Sequence, residues 1–143
     1  MRKIFENNYA ELYDISDEIP YTIFGYWKGL WLLDDPEAMR ALRFPFDYIK
    51  DHHIKIMITD YRYLEIVPVE TDAWLQSEWF PTVVKNGLLA EIVIDSTNSV
   101  FSKLSVDIMY ENVHQSTGLL TPTVGSLEEA KQLARKLIAE LHN

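Results

Sequence analysis

The chain has 143 residues, a length that fits one domain, and its 48% apolar and 24% charged residues are ordinary globular usage, which argues against disorder. The absence of cysteine excludes disulfides, thiolate zinc sites and a cysteine nucleophile. A net charge of −9, from 22 acids against 13 bases with no basic run, repels a phosphate backbone, so nucleic acid is not an expected partner.

The amino terminus, Met1-Arg2-Lys3-Ile4-Phe5-Glu6, has a basic start but no apolar stretch behind it, so a signal peptide is not expected. The purest apolar runs, Leu30-Trp31-Leu32-Leu33 and Ile56-Met57-Ile58, are far short of the ~20 residues that span a bilayer. A soluble cytoplasmic protein is the expectation. Residues 9–15 alternate loosely, residues 16–18 are turn-like, and residues 21–27 are rich in β-branched and aromatic side chains. Together they predict an antiparallel hairpin.

Asp34-Asp35-Pro36-Glu37 has the form of a helix start, with Asp at the N-cap and Pro in the first turn. Met39, Leu42, Phe46 and Ile49 keep one buried face, while Pro45 predicts a kink or two abutting helices. Residues 54–60 read as a buried strand. Residues 68–86 form the next helical segment, interrupted at Pro81 and closed by Gly87. A strand follows over 88–94. Residues 95–116 contain a helix whose buried stripe is expected at Phe101, Leu104 and Ile108, with Val100 beside it. Residues 119–124 are a short strand that Pro122 makes irregular or an edge. Ser126-Leu127-Glu128-Glu129 is a capping box, and Leu127, Ala130, Leu133, Ala134, Leu137, Ile138 and Leu141 hold helical spacing behind it. The alternation predicts an α/β fold: a mixed, mostly parallel sheet of about five strands with an N-terminal antiparallel hairpin and about four helices.

Familiar catalytic signatures are missing. There is no phosphate loop, no Gly-x-Gly-x-x-Gly and no Gly-x-Ser-x-Gly elbow. His52 and His53 sit where polar residues close a helix, His114 has no partner of metal-ligand spacing, and the penultimate His142 is expected to fray. The acidic pairs Asp17/Glu18, Asp34/Asp35 and Glu128/Glu129 fall at a turn and two helix starts. No catalytic residue, metal or cofactor is therefore expected, and enzymatic activity is not.

Two features remain. Asp60 and Arg62 follow a buried strand, where ligands of open α/β sheets gather, and they either cap the strand as an ion pair or grip an anion. Trp74 and Trp79 lie about 140° apart around a straight helix, so one packs inward while the other covers Pro81 or lines an apolar groove, unless both are core. The aromatic load of 13% likewise fits either large core rings or an aromatic-lined pocket.

The run Asp60-x-Arg62-x-Leu64, then Trp74-Leu75 and Trp79-Phe80-Pro81, then Gly87 before a strand, and finally Ser126-x-Glu128-Glu129-Ala130, resembles the small stand-alone SpoIIAA-like proteins of bacteria, of the STAS and SEC14 (CRAL-TRIO) type of fold. That resemblance implies a four- or five-stranded sheet with helices largely on one side, frequent dimers and no enzymatic activity. Its regulatory relatives are switched by phosphorylating a Ser at a helix start, a motif that would fall near residues 67–71 and is absent; Thr71, flanked by Glu70 and Asp72, is the nearby hydroxyl. The expectation is a non-enzymatic binding or regulatory module that meets a protein partner through Asp60, Arg62, Glu65, Glu70 and Thr71. A SEC14-like carrier, holding a small apolar ligand at Trp74 and Trp79, is the alternative, and a homodimer is open.

Overall fold

The computed structural model describes residues 1–97 and 99–141. His142, expected to fray, lies outside them. The strands are β1 (Arg2–Glu6), β2 (Ala10–Asp14), β3 (Thr22–Gly29), β4 (Ile56–Leu64), β5 (Ala90–Ile94) and β6 (Thr123–Val124), and they lie in one sheet in chain order. β1 to β3 pair antiparallel; β3 to β6 pair parallel. The fold class is the predicted one. The amino-terminal strand extends the predicted hairpin to a three-stranded meander.

The helices are α1 (Pro36–Asp51), α2 (Val69–Trp74), α3 (Phe80–Lys85), α4 (Val100–Tyr110), α5 (Val113–Thr117) and α6 (Leu127–Leu141), with a π turn, Leu75–Trp79, joining α2 to α3. Asp35 caps α1 as predicted, accepting from the amides of Glu37 and Ala38. Pro45 does not divide it. Ala41 and Leu42 before the proline and Ile49 after it stay on one buried face, and that packing carries the helix through the missing hydrogen bond. In the next segment the predicted interruption takes a different form. The Phe80 amide reaches back five residues to the Leu75 carbonyl, and the wide turn accommodates Pro81 without ending the helix.

The sheet separates two apolar layers. On one face Trp27, Met57, Tyr61 and Val93 pack against Leu42, Trp79, Phe80 and Met109 from α1, the α2–α3 segment and α4. On the other, Phe24, Ile56, Ile58, Ile92 and Ile94 pack against Ala130, Ala134 and Ile138 of α6. The capping box forms with a shift of one residue: Ser126 Oγ accepts the Glu129 amide at 3.1 Å, while Glu129 reaches back to the amide of Gly125 at 2.7 Å.

Helix α4 corrects an expectation. It forms where predicted, but its buried residues are Ser102, Val106 and Met109. The expected core stripe faces outward, with Val100 81%, Phe101 74%, Leu104 55% and Ile108 52% exposed. Apolar residues ring this helix, so spacing alone could not tell which side meets the sheet. Among the described residues no helix is long and apolar enough to cross a membrane.

Candidate functional site

The predicted surface at Asp60 to Thr71 does not assemble as one patch. β4 runs four residues further than expected, so Asp60 and Arg62 lie inside the strand rather than beyond it. Asp60 is only 1% exposed and accepts from Arg62 Nε at 3.1 Å, Arg62 Nη2 at 2.8 Å and Ser96 Oγ at 2.6 Å. Burial works against its charge, but these hydrogen bonds outweigh it and hold the carboxyl below the usual range. The arrangement is a strand-closing ion pair with its anion already supplied. The Arg62 guanidinium also lies over the Tyr26 ring, 5.6 Å from the centroid.

Thr71 is the clearest correction. It is 1% exposed, and its hydroxyl donates to the carbonyl of Trp31, so it belongs to the core and not to a surface. Glu65 and Glu70 are exposed. Arg62 and Glu65 share a shallow groove of about 470 Å³ with Leu64, Ile66, Ser99 and Phe101, and that groove leads onto the exposed apolar face of α4.

Trp74 and Trp79 flank a π turn that brings both toward the same side of the segment. The π turn between them widens the spiral, and both rings approach Phe46 at 6.5 Å. Trp79 is buried and donates from Nε1 to the Leu42 carbonyl at 2.6 Å. Trp74 is half-buried, with the Arg43 guanidinium 5.8 Å from its ring centroid. Beneath Trp79 lies a void of about 10 Å³, lined by Trp27, Trp31, Tyr61, Leu75, Phe80 and Glu91 among others. That is room for one water molecule and not for a lipophilic ligand.

Glu91 was visible in the sequence only as the exception in an apolar strand. It is 1% exposed, on the face covered by α1, the α2–α3 segment and α4, where Thr59 Oγ1 donates to its Oε2 at 2.7 Å. Burial pushes its carboxyl up to about 7, and the hydroxyls of Thr59 and Tyr110, which favour the charged form, offset only part of this. Tyr61 and Tyr110 share a hydroxyl–hydroxyl hydrogen bond, and both line a cleft of about 210 Å³ at the carboxyl end of β5, beside the start of β6. Asp95, Thr97, Lys103, Asp107 and Glu111 form much of its rim. Lys103 is already flanked by Asp95 at 3.5 Å and Asp107 at 3.6 Å.

His52 closes α1, its ring stacked on Tyr48 at 3.9 Å, and His53 takes a left-handed backbone (φ 56°) in the turn to β4. No group of three or more His, Cys, Asp or Glu among the described residues is placed to hold a metal ion. No family model matches the chain, and neither a curated protein nor a solved structure matches it.

Proposed function

We propose that the protein is a non-enzymatic binding or regulatory module, of the kind its resemblance to SpoIIAA-like STAS proteins implies, and that it meets a protein partner through the outer face of α4. The carrying observation is that face. Four large apolar side chains, Val100, Phe101, Leu104 and Ile108, stand more than half exposed on one helix. Isolated exposed apolar residues are ordinary, but a contiguous set marks an interaction surface. Ile66, 53% exposed, continues the patch through the groove beside Arg62 and Glu65. The contact thus lies next to part of the surface expected from the sequence, without Thr71 and with Asp60 only as the anchor of Arg62.

The phospho-switch of the regulatory relatives has no support at Thr71, whose hydroxyl is enclosed. The carrier reading is also less favoured, because the void under Trp79 admits nothing larger than water. The test is a double substitution, Phe101→Asp with Leu104→Asp, in protein purified from its own host. Its circular dichroism and melting behaviour should match the unsubstituted protein, while a specific co-purifying protein is lost. Retention of that protein by the folded variant would overturn the reading.

A further inference from the structure

Two buried polar atoms in the core have no hydrogen-bond partner, and both belong to residues lining the same void. They are Trp27 Nε1 and Glu91 Oε1; the Tyr110 hydroxyl lies near enough to favour the charged carboxyl but bonds to Tyr61 and makes no hydrogen bond of good geometry to Oε1. Trp27 is 2% exposed and Glu91 1%. Leaving a buried donor and a buried acceptor unpaired forfeits their hydration with nothing in return, so native interiors rarely do it. The other buried indoles keep this rule: Trp31 donates to the Lys28 carbonyl and Trp79 to that of Leu42.

Both side chains reach the void from strands on either side of β4. A Cβ added at Gly25 would lie 3.4 Å from Trp27 Nε1, so the indole nitrogen sits over that glycine. Gly25 is the registered neighbour of Thr59, and the Thr59 hydroxyl holds the other oxygen of Glu91. Trp27 stands on β3 and Glu91 on β5, and the Glu91 carboxyl reaches back over the intervening β4 to Thr59. One bridging molecule in the void they both line, making two hydrogen bonds of about 2.8–3.0 Å, would satisfy both atoms. The void, about 10 Å³, has the size of a single water.

We propose that this void is a binding site for one structural water, which accepts from Trp27 Nε1–H and donates to Glu91 Oε1. The lining explains why the ligand is water and not an ion or an organic molecule. Leu42, Leu75, Phe80 and Met109 close the remaining sides, and no lysine, arginine or histidine lines the void. A cation would have no other charged partner, and an organic ligand has no room. The remaining polar wall is Tyr61, whose hydroxyl leads through Tyr110 to the cleft outside. The water occupies the space lined by residues of β3, β4, β5 and the π turn, where side chains alone leave both groups unmatched.

The test is solution NMR on protein labelled with ¹⁵N at tryptophan, with the Trp27 signal assigned by Trp27→Phe or, if that variant does not fold, by assigning the other three indoles. The Trp27 indole proton should show a cross-peak to a long-lived water, and a high-resolution crystal structure should show one ordered water within hydrogen-bond distance of both atoms. Glu91→Gln should keep the water and Glu91→Leu should lose the cross-peak. Absence of a water cross-peak at Trp27 in the unsubstituted protein would overturn the proposal. So would density showing Glu91 Oε1 bonded directly to Tyr110 above a dry void.

Discussion

Glu91 is the residue at which the chain departs furthest from an ordinary core. Its ordinary value is 4.5 and its folded value about 7, so between those limits the folded protein holds a proton that the unfolded chain has released. Stability contributed by that proton is fully present below the window and falls as pH rises through it, by up to about 1.4 kcal/mol per unit. Urea titrations at several values between pH 5 and 8 should therefore show the unsubstituted protein losing stability relative to Glu91→Gln. A constant difference across that range would mean the carboxyl titrates normally. Thr71 makes a second residue-scale prediction. Thr71→Val preserves shape but leaves the Trp31 carbonyl without its donor, and should cost about 1–3 kcal/mol in the same assay. Neither role was legible in the sequence. Glu91 read as one polar exception in a strand, and Thr71 as an exposed hydroxyl among acids, because burial of a single side chain depends on what crosses over it.

At the scale of elements the sequence was most informative where local chemistry decides the outcome. Asp35-Pro36 starts α1 and Ser126 with Glu129 starts α6, as their side chains require. The π turn and the orientation of α4 were not legible. The first depends on how a helix absorbs Pro81 while keeping Trp74 and Trp79 both beside Phe46. The second depends on a choice between two apolar sides of one helix. That choice is measurable. Leu104→Ser, on the outer side, should change stability by less than about 0.5 kcal/mol. Met109→Ala, on the inner side and 1% exposed, should cost about 2–5 kcal/mol. Comparable losses at the two positions would mean that the helix is turned the other way.

Over the whole molecule, the alternation of strands and helices specified the parallel half of the sheet, and the turn at residues 16–18 specified the antiparallel half. What the alternation leaves open is strand order, since a crossover helix permits a step to either side. Here every step goes the same way, and the sheet reads β1-β2-β3-β4-β5-β6. The consequence concerns assembly. No strand is inserted between two that precede it, so the growing sheet never has to open to admit a later segment. Pairing closes comparatively short stretches of chain, which keeps the entropic cost of each closure low and favours rapid folding. During synthesis the β1–β3 meander can form before β4 is made, and each later strand finds its template already in place at a single growing edge. That edge ends in the two-residue β6, beside Pro122, too short to offer much of a template to another chain.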